Sequence, residues 1–100
     1  MINSTDIYDI MDKIVKVVCE TTGVRDEMVK LPSGGSEIMD AKCIIARICD
    51  FEEISRKEVG LYIWFDPQAS RRNLNRFHDK INTHIFLNAK FNKCFKNYSN

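Results

Sequence analysis

The sequence is expected to fold as an all-α bundle of about five to six helices, and two observations lead there. Apolar residues return at intervals of three and four through most of the chain, the period of a helix that buries one side. Residues 55 to 83 add two helix-start signals separated by a tight turn. With 100 residues and an apolar share of 44%, the chain is expected to form a single domain, residues 1–100, that buries its core without disulfide or metal staples.

The first helix is expected from about Asp6 to Thr21. Ile7, Ile10, Met11, Ile14, Val17 and Val18 share one side of it, Ser4, Thr5 or Asp6 can cap it, and Gly23 can end it. A short helical turn follows from Val24 to Leu31, with Asp26 as its expected cap and Pro32 as its stop. Ser33-Gly34-Gly35-Ser36 then reads as the most flexible segment. It lacks the Gly-Lys-Ser/Thr ending of a phosphate-binding loop and the spacing of a dinucleotide fingerprint.

From about Glu37 to Asp50, Ile38, Ala41, Ile44, Ile45, Ile48 and Cys49 form an apolar arc too broad for a helix buried on one side only. This third helix is expected at the centre of the fold. Ser55 with Glu58 three residues on matches a capping box, and Ile54 with Val59 matches a hydrophobic staple, so two signals place the start of the fourth helix at one residue. It is expected to run to about Ile63 and to break at Trp64-Phe65-Asp66-Pro67, with Trp64 and Phe65 as core plugs. Ser70 is the expected cap of a fifth helix whose Leu74, Phe77, Ile81 and Ile85 lie on one face. Asn88 is the expected cap of a sixth, with Phe91, Cys94, Phe95 and Tyr98 inward.

Two capped helices joined by a tight turn, over residues 55–84, are the outline of a helix-turn-helix, whose second helix enters the DNA major groove. Arg71 and Arg72 sit in the first turn of that second helix. Cations there oppose the positive helix end by roughly 0.3 to 1 kcal/mol each, and a phosphate would reverse the sign of the effect. Departures of this kind from local stability point to function. Arg72, Asn75 and Arg76 are side-chain types that read base edges, Arg on guanine and Asn on adenine. Arg56, Lys57, Arg71 and Lys80 are the expected phosphate contacts, which set register without reading sequence. Ser70 joins this DNA-binding set as the residue that opens the helix.

Charge agrees with a polyanionic partner. Residues 1 to 60 carry eight Lys/Arg against twelve Asp/Glu, and residues 61 to 100 carry seven against two, so −4 stands against +5. A solvated helix face is the plain alternative for the same charges. The four cysteines, Cys19, Cys43, Cys49 and Cys94, contain no Cys-x-x-Cys, and buried reduced thiols are expected rather than disulfides or zinc. His78 and His84 are six residues apart and do not share a helix face, and His78 fits a core edge. No catalytic arrangement, metal or cofactor is signalled, so a non-enzyme is expected. The longest apolar run is too short for a membrane span and the opening residues are unlike a secretory signal, which points to the cytoplasm.

Val24 to Phe95 resembles the carboxy-terminal DNA-binding domain of the bacterial replication initiator DnaA. The resemblance rests on Ser55-Arg56-Lys57-Glu58-Val59-Gly60, similar to that family's Ser-x-x-Glu-Ile-Gly, on the alanine-bearing helix at Ala41 to Ile48, and on the Leu74 to Ile81 pattern. It implies a Trp-repressor-like helix-turn-helix. The family's Arg-Asp-His-Thr-Thr-Val signature for the DnaA box is missing, with Ser70-Arg71-Arg72-Asn73-Leu74 nearest to it. The basic arm before the central helix and the ATPase portion are missing too. The expected partner is therefore double-stranded DNA of unspecified sequence. The alternative is a protein-interaction module that keeps the fold without the nucleic-acid site, and both a monomer and a homodimer fit.

Overall fold

The computed structural model describes residues 4–31, 35–64, 66 and 68–100. Pro32, Ser33, Gly34, Phe65 and Pro67 lie outside the described residues, and so do the side chains of Ser70 and His78, so the contacts expected of these side chains stay open. The described residues form six helices and no strand: α1 (Ser4–Thr22), α2 (Asp26–Val29), α3 (Ser36–Phe51), α4 (Arg56–Ile63), α5 (Ala69–Thr83) and α6 (Ile85–Ser99). The all-α bundle is the fold.

Gly23 ends α1 as its position suggests. It sits at φ 79°, in the left-handed region open to glycine, and its N–H donates to the Cys19 carbonyl at 2.9 Å. The turn from α3 to α4 uses the same device without a glycine. Glu53 stands at φ 61°, its N–H donates to Asp50 O at 3.1 Å, and the Ile54 N–H reaches Cys49 O at 3.0 Å, the two bonds of a Schellman motif. Ser55 then caps α4, its hydroxyl accepting the Glu58 N–H at 3.2 Å, while Ile54 and Val59 are both buried. The fourth helix begins where its two signals place it.

Three expected caps are corrected. Asp26 is the first residue of α2 rather than its cap, a position held by Arg25 without a side-chain bond. Ser70 lies inside α5, which begins at Ala69 with Gln68 before it. Asn88 lies inside α6, which begins at Ile85 after an extended His84 at φ −114°, ψ 104°. The break at His84 has a local cause. Asn82, Thr83 and His84 are weak helix formers, and the Thr83 hydroxyl turns back on the carbonyls of Asp79 and Lys80, both at 3.2 Å. The Asn88 amide takes the Ile81 carbonyl at 3.4 Å and helps close the corner. Ile85 therefore leaves the apolar row of α5 and is exposed.

α3 is the central element, packed against each of the other five helices. Its burial runs without a gap from Ala41 to Ala46, Lys42 included. Lys42 lies fully buried, its amine donating to the Leu31 carbonyl just past α2, and burial pulls its pKa down. Met11, Ile14, Val15 and Val18 of α1 cover α3 from one side. Val59 and Ile63 of α4 with Leu74 and Phe77 of α5 cover another, and α6 packs on α1, with Cys94 beside Cys19 and Thr21. All four cysteines are buried thiols without a disulfide. Desolvation pushes Cys19 and Cys49 up to about 12 and Cys43 up to about 11, and it raises Cys94 as well. Trp64 is buried as expected, at the end of α4.

Candidate nucleic-acid interface

α4 and α5 pack on each other across the connection from Trp64 to Gln68. Their first turns approach. Arg56 and Lys57 of α4 and Gln68 and Arg71 at the opening of α5 line a single cleft of about 290 Å³. Three cations thus converge where two sets of unpaired backbone N–H groups begin. Gln68 was absent from the sequence-based set, since a residue ahead of a cap assigned to Ser70 carried no signal.

The remaining residues divide by their position around α5. Leu74 and Phe77 are buried and Ile81 is half-buried, which fixes the inward side. Arg72, Asn75 and Arg76 are exposed on the outer side, as the periodicity predicts. Arg71 and Lys80 are nine residues apart, which at about 100° per residue places them on opposite flanks roughly 13 Å apart along the axis. Lys80 faces α3, where its amine meets Asp40 Oδ1 at 3.0 Å. The expected set is therefore not one knot of charge. It is a cleft at Arg56, Lys57 and Arg71, a ridge at Arg72, Asn75 and Arg76, and an outlying Lys80.

Acidic neighbours temper part of this surface. Arg72 Nη2 reaches Asp66 Oδ2 at 3.2 Å, and Asp66 Oδ1 accepts the Gln68 N–H at 2.9 Å. Asp66 thereby supplies the negative charge that the first turn of α5 lacks in its own sequence. Of the two arginines, Arg72 is thus paired from the connection. An aspartate before a proline is a turn-starting signal as well as a break in α4. Asp50 joins Arg47 of its own helix, at 3.1 Å, to Arg56 of α4, at 3.6 Å. Among the described residues Lys57, Arg71 and Arg76 form no ion pair.

These pairs are exposed or half-exposed, and exposed pairs contribute about 0 to 1 kcal/mol each. A phosphate oxygen can replace either carboxylate at small cost. The arrangement suits binding of a polyanion by charge-assisted hydrogen bonds. Among the described residues, no three His, Cys, Asp or Glu side chains are grouped to hold a metal ion, and no helix is long and apolar enough to cross a membrane. No family model, curated protein or solved structure matches the chain, so its surface is the ground for any reading of its function.

Proposed function

We propose that the chain is a DNA-binding module in which α4 and α5 act as a helix-turn-helix of the initiator type. The observation that carries the reading is the cleft shared by Arg56, Lys57 and Arg71, which continues onto the exposed Arg72, Asn75 and Arg76. In this reading Arg72, Asn75 and Arg76 meet base edges in the major groove, and Arg56, Lys57, Arg71 and Lys80 hold phosphates. The module works by binding and performs no reaction.

Four phosphate contacts release counterions in proportion, so affinity for random duplex DNA should fall about 100-fold between about 50 and 200 mM salt. Fluorescence anisotropy of the full chain with labelled duplex reads this directly, and no binding at the lower salt overturns the reading. Arg72→Ala should relax sequence preference, whereas Lys80→Ala should weaken all sequences alike. If the two variants behave identically, the division into base and phosphate contacts is wrong.

A second reading, a protein-interaction module on the same fold, is favoured by the ion pairs that already occupy Arg72 and Lys80. It predicts salt-insensitive, negligible DNA binding in the same experiment.

A further inference from the structure

Ile85 and Phe86 are the most exposed large apolar side chains among the described residues, at 78% and 87%. Scattered apolar residues on a surface are ordinary, but these two are adjacent and border a concavity. With Leu87 they line a cleft of about 370 Å³ that also takes in Asp40, Lys80 and Lys90. That volume falls within the usual size of a ligand cleft.

A second cleft, about 180 Å³, opens between α3 and α5 over Met39, Cys43 and Phe77, with Arg76 at its edge. Asp40 and Lys80 line both clefts, and their ion pair at 3.0 Å stands between them. The two clefts adjoin at this pair, and together they follow α5 from Arg76 to the bend at His84 and end on Phe86, a bipartite groove. Its apolar floor and exposed aromatic end are set among three cations, Arg76, Lys80 and Lys90, against the single carboxylate of Asp40. Lys80 is already matched by Asp40, and among the described residues Arg76 and Lys90 form no ion pair.

We propose that this groove docks an acidic peptide segment of a partner protein, with an apolar anchor against Ile85 and Phe86 and carboxylates on Arg76 and Lys90. The charge excess selects the occupant. A second copy laid groove to groove would set the same cations against themselves. An anionic bilayer would press its negative surface against Asp40 as well as the cations, and two apolar side chains offer little area for insertion. Arg76 to Thr83 spans about 10 Å of helix, which about three or four extended residues cover. The groove shares Arg76 and Lys80 with the proposed DNA surface, whereas Ile85, Phe86 and Lys90 lie outside it, so variants at Phe86 and Lys90 test the groove without touching that surface.

The test is anisotropy of the full chain with a fluorescein-labelled peptide, Asp-Glu-Glu-Asp-Leu-Glu-Glu-Asp-Phe-Glu-Glu-Asp, and with its counterpart carrying Lys at every acidic position. The acidic peptide should bind with a dissociation constant below about 1 mM and the basic one should not. Phe86→Asp should weaken binding at least about tenfold, as expected for an aromatic anchor. Because Phe86 is exposed, the variant should keep the native circular dichroism and melting temperature. Lys90→Glu should weaken binding in the same direction. No binding of the acidic peptide, equal binding of both peptides, or indifference to Phe86→Asp overturns the proposal. It is overturned equally if the peptide fails while vesicles of phosphatidylserine and phosphatidylcholine bind through Phe86. Self-association by sedimentation that is lost in Phe86→Asp gives the groove to a second copy instead. None of these outcomes bears on the duplex titration.

Discussion

Glu53 holds a backbone conformation that glycine adopts freely, and it does so because the Schellman bonds of Asp50 and Cys49 require it there. A side chain in the left-handed region costs roughly 1 to 2 kcal/mol, of which glycine recovers part while losing more entropy on folding. Glu53→Gly should therefore stabilise the protein by about 0.5 to 1 kcal/mol, read as a higher urea midpoint at unchanged slope. A lower midpoint would show that Glu53 contributes through its side chain instead. Such single positions were the least legible in the sequence. Nothing near Lys42 announces a buried amine, because its partner, the Leu31 carbonyl, arrives from eleven residues away through the packing of α2 on α3. Asp66 and Asp40 were likewise invisible as partners of Arg72 and Lys80, since periodicity assigns a face and not a neighbour.

Helices were far more legible than their ends. The apolar rows of α1, α3 and α5 found the buried sides, and at α4 the Ser55 and Ile54 signals agreed with the observed start. That agreement has an energetic meaning. Ser55→Ala removes the acceptor of the Glu58 N–H and should destabilise the protein by about 1 kcal/mol, with Ser55→Asp recovering most of the loss. Denaturation midpoints of the two variants check this, and equal loss in both would remove the capping account. The misjudged ends share a cause. At α5 and α6 a plausible capping residue stood inside the helix, and the true boundaries at Gln68 and His84 are set by turn geometry without a side-chain cap. The corner at His84 turned Ile85 and Phe86 outward, which a continuous helical row could not foretell.

For the molecule as a whole, the buried thiols set an alkaline limit. Unfolded cysteine ionises near 9.0, while burial lifts Cys43, Cys19 and Cys49 to about 11 or 12. Above pH 9 the unfolded chain therefore sheds protons that the folded chain keeps, and stability falls as pH rises through this window. Lys42 acts in the opposite direction. Its amine is lowered from 10.5, so the folded chain loses that proton first and gains stability up to the unfolded value. Four raised thiols, Cys94 included, outweigh one amine, so the urea midpoint should be level to about pH 8 and decline from about pH 9 to 11. A midpoint that rises across that range would mean the thiols are hydrated. At this scale the charge division, −4 in residues 1 to 60 and +5 beyond, was legible from counting alone. How the positive part divides into a cleft, a ridge and a groove depended on the rotation of α5 against α3 and α4.

Trp64 gives the molecule its own fluorophore. It is the single tryptophan, 6% exposed, and its indole Nε1 has no hydrogen-bond partner among the described residues. An indole so enclosed emits to the blue of one in water, and the ring sits where α4 ends and the connection to α5 begins. Light from this one residue therefore reports on the α4–α5 junction alone. Loosening of that junction should redden the emission while the helical circular dichroism is still intact, and its separation from global unfolding can be followed without a label.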